Sequence, residues 1–164
     1  MRLLLVLLGL AAALPAAALA SEPTGYRIVP GHSVGKVTLG EGTPQVIASI
    51  GRPGRLGPYA GPEWIYGALQ VDTNPTGLTV VGLEIVAQYG ATQAEAARYQ
   101  TLAGIHVGSS VAAVEKAYPD ARCNLANRGC ALTRGTRTTW FYTARGTRRL
   151  TGATPIAEIY LADH

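Results

Sequence analysis

The sequence offers one short motif that could form a covalent intermediate. Residues 33–36 read Ser-Val-Gly-Lys, the Ser-x-x-Lys pattern in which a serine at a helix start is activated by a lysine one turn later. Here Gly35 separates the two in a stretch rich in Pro and Gly, and the chain has no Ser-Asp-Asn or Lys-Thr-Gly partner motif. His32, His106 and His164 show no paired spacing for a general base or a metal site. The sequence therefore predicts a protein that is not an enzyme, with no metal and no cofactor.

Two cysteines, Cys123 and Cys130, are separated by a short polar loop. In an exported chain the oxidising compartment makes a disulfide between them the expected state. A zinc site would need two further ligands, which the histidines do not supply at any recognisable spacing. The pattern predicts a structural disulfide that closes the turn at 124–129.

Two short aromatic motifs carry the sharpest binding hypothesis. Residues 63–66 read Glu-Trp-Ile-Tyr, and residues 139–142 read Thr-Trp-Phe-Tyr. Since alternate side chains of a strand face opposite sides, the Trp and Tyr of each motif share one face. Either these rings form an exposed four-aromatic patch, with Ile65 and Phe141 under the helices, or the rings lie in the core. The candidate binding residues are Trp64, Tyr66, Trp140, Tyr142, Arg137 and Arg145.

Basic residues concentrate in the second half of the chain. Residues 94–164 hold nine Lys and Arg against five Asp and Glu, whereas residues 21–93 hold four against five. Arg137 and Arg145 lie in a segment, 121–157, without any acidic residue. This asymmetry indicates either a basic face for a protein or anionic envelope polymer, or a solvated strand face. No nucleic-acid partner is expected.

The N-terminus reads as an export signal. Met1-Arg2 precedes a Leu/Ala run that ends in Ala18-Leu19-Ala20, so residues 1–20 are predicted to be a cleaved signal peptide. The run holds no cysteine that could accept a lipid, and no later apolar run approaches the ~20 residues that cross a bilayer. The mature chain is therefore expected to have no transmembrane segment and to be secreted or periplasmic.

Similar segments recur along the mature chain. Residues 37–40 align with residues 105–108, and the two Trp-x-Tyr motifs align with each other at an offset of 76 residues. The same offset of 76 places Val80, Leu83 and Ile85 over Ile156, Ile159 and Leu161. The sequence predicts two tandem repeats, residues 21–93 and 94–164, with the cysteine loop as an insertion in the second.

Each predicted repeat reads as a short helix followed by strands. Thr43-Pro44 and Ser109-Ser110 are helix-start signals. Strand candidates lie at 63–72 and 78–88 in the first repeat and at 129–134, 137–145 and 155–162 in the second. The predicted fold is α+β: two tandem repeats, each a short helical segment packed on an antiparallel β-meander, with their sheets shared or abutting.

The order of these motifs resembles two related families. A glycine-led helix entry, then Trp-x-Tyr, then a strand of Val/Ile-x-x-Leu/Ile-x-Ile/Leu is similar to the unit of the SmpA/OmlA-type outer-membrane-assembly lipoproteins and of the tandem-repeat β-lactamase inhibitor proteins. The resemblance covers most of residues 33–162. It implies a helical pair on an antiparallel sheet in each unit, no catalysis, and a role in binding other proteins. The lipid-acceptor cysteine of the assembly lipoproteins is absent here.

These observations predict a secreted or periplasmic binding module that recognises a protein or an envelope component through its sheet face. The alternative is a structural accessory of cell-envelope assembly or stability, working within a larger complex. An exposed aromatic patch would favour the first function, and a wholly buried aromatic set would favour the second.

Overall fold

The computed structural model describes residues 26–57 and 62–163, and the predicted signal peptide, residues 1–20, lies outside them. In chain order the elements are β1 (Arg27–Val29), β2 (Ser33–Val34), β3 (Val37–Thr38), α1 (Thr43–Ile50), β4 (Arg55–Leu56), β5 (Glu63–Tyr66), β6 (Leu69–Thr73), β7 (Val80–Val86), α2 (Gln93–Ala96), β8 (Gln100–Thr101), α3 (Val111–Ala117), β9 (Arg122–Asn124), β10 (Gly129–Arg134), β11 (Arg137–Thr143) and β12 (Ile156–Asp163). The predicted α+β class is confirmed.

The two longer helices begin within one residue of their sequence signals. Pro44 lies in the first turn of α1, where its missing N–H costs nothing, and Gly42 is the residue before the helix. Ser110 caps α3, since its side-chain oxygen accepts a hydrogen bond from the N–H of Ala113 at 3.2 Å. Over residues 26–57 and 62–163, no helix has the length and apolar character that a bilayer crossing requires.

The described residues form one large antiparallel sheet of eight strands, in the order β4-β5-β6-β7-β12-β11-β10-β9. This order is symmetric about the central β7–β12 pair, because each half of the chain contributes four successive strands that follow a helix. When 76 is added to the number of Leu83 and subtracted from that of Leu161, the cross-strand pair Leu83–Leu161 becomes the pair Ile159–Ile85. A two-fold relation between the two halves requires this exchange. The tandem duplication itself stays a prediction, and its boundary at residue 93 falls inside α2.

The sequence-based equivalence of the two Trp-x-Tyr motifs is wrong. A single strand was expected over 63–72, but a turn at Gly67 reverses the chain, and these residues form the β5–β6 hairpin. Gly67 adopts a φ of 64°, which costs little because glycine has no Cβ. As a result β5 is the second strand of its half, whereas β11 is the third strand of the other half.

One face of the large sheet, which we call the helix face, forms the core with α1 and α3. Phe141 is fully buried and stacks on Tyr118 at the end of α3, with ring centroids 5.8 Å apart. Tyr66 donates a hydrogen bond to the carbonyl of Gly51 at the end of α1, at 3.0 Å. Each fully buried Leu, Ile, Val or Phe side chain contributes about 1.5–3 kcal/mol to folding. Cross-strand pairing places on this face Trp64, Tyr66, Leu69, Val71, Leu83, Ile85, Leu132, Phe141, Ile159 and Leu161.

A small sheet of short strands, in the order β3-β2-β1-β8, is tied to β11. The N–H of Gly31 donates to the side-chain oxygen of Thr139 at 2.8 Å. Arg137 donates to the carbonyl of Leu39 at 3.1 Å and forms an ion pair with Asp163 at 3.5 Å. Arg137 therefore links the two sheets, and the binding role predicted for it stays a prediction.

Candidate functional site

The face of the large sheet opposite the helices, which we call the open face, carries a cavity of about 430 Å³. Strands from both halves of the chain meet at this place, because β7 and β12 pair at the centre of the sheet. We call it the acidic cavity. Its lining residues are Asp72, Glu84, Ala126, Asn127, Arg128, Trp140, Tyr142, Glu158 and Tyr160.

Strand register brings the central side chains of the acidic cavity together. Glu84 on β7 is the direct cross-strand neighbour of Tyr160 on β12, and Tyr160 is the neighbour of Trp140 on β11. Glu158 pairs with Tyr142 in the same way. Directly opposed residues lie on one face with their Cβ atoms about 4.5–5.5 Å apart. The sheet thus assembles carboxylates and aromatic rings that are far apart in the sequence.

The aromatic rings form a continuous stacked floor. The ring of Trp140 lies 5.7 Å from that of Tyr160 and 6.3 Å from that of Tyr142, with interplanar angles of 27° and 12°. Trp140 and Tyr142 are half-buried, so part of each ring surface is open to a ligand. Such faces stack on flat organic groups and attract cations, because the ring quadrupole is negative above its plane.

A glycine on β7 makes room for one wall of the acidic cavity. A Cβ atom at Gly82 would lie 2.6 Å from the hydroxyl of Tyr160 and 2.8 Å from Oδ2 of Asp72. The Tyr160 hydroxyl donates a hydrogen bond to Asp72 across this gap. Gly82 is therefore required for the position of both side chains.

The rim of the cavity is a hairpin closed by a disulfide. Cys123 and Cys130 are direct cross-strand partners on β9 and β10 and are bonded, as the sequence predicts. Arg128, in the turn between them, adopts a φ of 52°, and its carbonyl accepts from both the N–H and the hydroxyl of Thr143, at 2.8 and 3.0 Å. Its guanidinium lies 5.0 Å from the ring centre of Tyr142. The hairpin is thus fixed against the floor.

The carboxylates of the cavity are pushed towards their protonated forms. Burial raises the pKa of Glu84 to about 8, and repulsion from Glu158, Asp72 and Glu63 acts in the same direction, against the opposing effect of Arg145. Burial also raises the pKa of Asp72, although the hydrogen bond from Tyr160 lowers it. Burial likewise raises the pKa of Glu158, opposed by Arg128 and Arg145. The protonated form of Glu84 is therefore favoured at neutral pH.

The structure separates the aromatic residues that the sequence grouped. Trp140 and Tyr142 lie on the open face, whereas Trp64 and Tyr66 lie on the helix face and pack against the core. The predicted four-aromatic patch is therefore wrong, and so is the alternative in which all the rings are in the core. The reason is the turn at Gly67, which gives the two motifs different places in their meanders.

The two predicted arginines occupy different surroundings. Arg137 is held by Asp163 and the carbonyl of Leu39, away from the acidic cavity lining. Arg145 is exposed after β11, and its charge lowers the pKa of Glu84 and of Glu158. Arg145 is therefore an electrostatic neighbour of the site. Of the other basic residues, Arg134 forms an ion pair with Asp120 on the surface.

Seven of the nine lining residues were missed by sequence reasoning, and four of these carry the acidic and phenolic groups of the site: Asp72, Glu84, Glu158 and Tyr160. They lie on three strands, so no spacing along the chain reports that they meet. One signal was available, since Glu84 follows Leu83 and precedes Ile85 in an otherwise apolar strand. A carboxylate is costly to bury in an apolar core, so Glu84 within such a strand indicates a position on the face away from the core.

A second cavity, of about 300 Å³, lies on the helix side of the molecule. Four of its eight lining residues are aliphatic, and Lys36 is the single charged residue among them. Tyr66, of the first aromatic motif, lines it, just as Tyr142 of the second motif lines the acidic cavity. Its lining residues are Val34, Lys36, Val37, Ser49, Ile50, Tyr66, Leu69 and Tyr99.

No protein-family model and no curated protein matches this chain. Two solved structures resemble its fold. An extracellular protein containing an SCP domain from Bacillus anthracis str. Ames shares 14% identity over 76% of this chain and 44% of its own, with a TM-score of 0.41. A cysteine-rich secretory protein from Staphylococcus aureus subsp. aureus Mu50 shares 9% identity over 87% of this chain and 48% of its own, with a TM-score of 0.49. The chain spans less than half the length of either protein, and likeness at this level assigns no activity.

These findings correct the family resemblance drawn from the sequence. The structures found are neither β-lactamase inhibitor proteins nor SmpA/OmlA-type lipoproteins, so that assignment is wrong. The Trp-x-Tyr motif that supported it lies on non-equivalent strands and on opposite faces of the sheet. The chain contains a disulfide, which is consistent with secretion.

Proposed function

We propose that this chain is an exported, non-catalytic binding module and that its ligand site is the acidic cavity. One observation supports this above all: aromatic rings and polar groups from four strands and the disulfide hairpin converge on one concavity of about 430 Å³. Small-molecule sites are typically concave, few in number, and lined by apolar and aromatic surface with a few convergent polar groups. The volume suits a small organic molecule or one chemical group of a larger one.

The walls of this cavity are built before any ligand arrives. The disulfide holds the hairpin, the stacked rings hold the floor, and the space above Gly82 holds Tyr160 and Asp72. A preformed site avoids the entropy cost of ordering side chains upon binding. These features support recognition through the sheet face at the acidic cavity, whereas the acidic side chains of its lining disfavour an anionic polymer.

Tryptophan fluorescence tests the location directly, because the chain has two tryptophans and they lie on opposite faces. In a Trp64→Phe variant, Trp140 is the sole reporter. Agmatine, chitobiose and pyrophosphate serve as cationic, neutral and anionic probes. At least one of them should shift the Trp140 emission with saturation, and the Trp140→Phe variant, which retains Trp64, should give no shift. If no probe perturbs Trp140, or if Trp64 alone responds, the acidic cavity is not the ligand site.

A second candidate function is acid–base hydrolysis, favoured specifically by two carboxyl groups that line one cavity, Glu84 and Glu158, whose pKa values burial raises. Carboxyl groups whose pKa values are separated by their environments can act as a general acid and a base. Turnover distinguishes the two functions. Oligosaccharides incubated with the wild type and with Glu84→Gln should show no released reducing ends with either protein if the module only binds. Release by the wild type alone would establish the hydrolase and overturn the non-catalytic proposal.

A further inference from the structure

Resting on the proposed function, we infer that the acidic cavity recognises a cationic organic group, an ammonium or a guanidinium, seated between the stacked rings and the carboxylates. The lining carries three acidic side chains and one basic side chain. At separations of a few ångströms in a protein-like effective dielectric, opposite charges attract and like charges repel. A cation is therefore favoured over an anion where these carboxyl groups are ionised, and at Glu84 it displaces the proton that the raised pKa favours.

The aromatic floor supplies an observation that is independent of the carboxylates. The guanidinium of Arg128 already lies 5.0 Å from the ring centre of Tyr142, within the cation–π range. The chain thus places its own cation on one ring of the cavity. The neighbouring ring of Trp140, stacked on Tyr142 and on Tyr160, offers a second surface of the same kind.

In this arrangement Arg128 competes with a cationic ligand for the ring of Tyr142. Its backbone is held by the hydrogen bonds to Thr143, while its exposed side chain is free to move aside for a ligand. Replacing Arg128 with alanine removes the cation from Tyr142 and from the neighbourhood of Glu158. A cationic ligand then binds more tightly, whereas a ligand that uses the Arg128 guanidinium as a donor binds less tightly.

Cation binding is linked to protons in a defined direction. A ligand cation favours the ionised form of Glu84, so binding releases the proton held there, and affinity rises with pH up to the pKa of the free site. The residues that face Glu84 lie on nearby strands of the sheet and on the segment after β11. They are Glu63 on β5, Gln70 and Asp72 on β6, Glu158 and Tyr160 on β12, and Arg145 after β11.

The test uses the Trp64→Phe protein and titrates agmatine, chitobiose, pyrophosphate and calcium chloride at pH 6, 7 and 8.5. Agmatine is expected to shift the Trp140 emission, with affinity rising roughly tenfold between pH 6 and 7. Glu84→Gln should flatten this pH profile, and Glu115→Gln, on the exposed side of α3, should leave it unchanged. Arg128→Ala should strengthen agmatine binding severalfold, whereas Arg122→Ala, on the same hairpin, should not.

The possible outcomes distinguish a failure of the cationic inference from a failure of the proposed function. If chitobiose or pyrophosphate shifts Trp140 and agmatine does not, the cationic inference is overturned and the binding site stands. Calcium binding without agmatine binding also overturns it, in favour of a metal ion. Agmatine binding that is weakened by Arg128→Ala contradicts the competitor role and, with it, the proposed seat on the rings. If no probe shifts Trp140, both the inference and the proposed function are lost.

Discussion

The two Trp-x-Tyr motifs have the same pattern, but their Trp and Tyr side chains lie on opposite faces of the large sheet. In the first, Tyr66 donates a hydrogen bond to the end of α1 and lines the second cavity, on the helix side. In the second, Trp140 and Tyr142 line an acidic cavity on the open face, and it is the residue between them, Phe141, that is buried. A strand motif specifies which side chains share a face, but the pairing of that strand decides which face it is.

The two faces also differ in what stabilises them. The helix face is closed by apolar side chains and a helix at each half, whereas the open face buries carboxylates beside aromatic rings at a cost to their ionised forms. Stability is concentrated on the first face, and a ligand site is concentrated on the second. Such separation is expected because this site contains ionisable groups, and charged groups are costly to bury in an apolar core. Four pairs of substitutions test this contrast.

The largest effect should come from the middle residue of the second motif. Phe141→Ala removes a fully buried ring from between α3 and the sheet and should lower the free energy of unfolding by about 3–5 kcal/mol. Trp140→Ala, next to it on the open face, should cost about 1 kcal/mol through lost stacking. Chemical denaturation of both variants measures the difference. Equal losses would show that the two faces are not energetically distinct.

Gly82→Ala should have the next largest effect. The added methyl group would lie 2.6 Å from the Tyr160 hydroxyl, so the ring must move and its hydrogen bond to Asp72 is lost. We expect destabilisation of about 2 kcal/mol together with weaker probe binding. Gly54→Ala is the matched control, because its Cβ would make an ordinary 3.8 Å contact with the carbonyl of Ile65. A neutral Gly82→Ala variant would remove the support for a preformed cavity.

Glu84 should give the open face a pH dependence that the helix face lacks. Burial raises its pKa from the ordinary value of 4.5 to about 8 in the folded protein, so between these values the folded state holds more of the proton than the unfolded state does. Raising the pH through this window therefore lowers stability, and Glu84→Gln should abolish about 1–2 kcal/mol of that loss after allowance for solvent screening. Denaturation at pH 5 and pH 9 measures it, with Glu115→Gln as the control. Parallel profiles for the wild type and Glu84→Gln would contradict the assignment.

The smallest effect is expected when the hydroxyl group of each motif's tyrosine is removed. Tyr66→Phe removes the hydrogen bond to the carbonyl of Gly51 and should cost about 1 kcal/mol. Tyr142→Phe keeps the ring that stacks on Trp140 and should change stability by less than about 0.5 kcal/mol. Thermal unfolding of the pair is sufficient. A larger loss in Tyr142→Phe than in Tyr66→Phe would reverse the contrast between the faces.

Local chemistry carried much of the fold prediction. The helix starts at Pro44 and Ser110, the disulfide, and the three strands of the second half follow from signals within a few residues. The first half departs from the sequence prediction at Gly67, where a two-residue turn interrupts the strand predicted over 63–72. Turns this short leave little trace in hydrophobic alternation, since apolar residues continue on both sides of them.

The sequence by itself determined the α+β class, the two helix starts to within one residue, the cysteine pair and the alternation that joins Trp140 to Tyr142. Only the tertiary structure decided that this pair lies against Glu84, Glu158 and Tyr160, while the first motif lies against the helices. The physical reason is that caps, disulfide turns and strand alternation depend on neighbours along the chain. A site on a sheet depends on cross-strand register, which is set by the packing of the whole core.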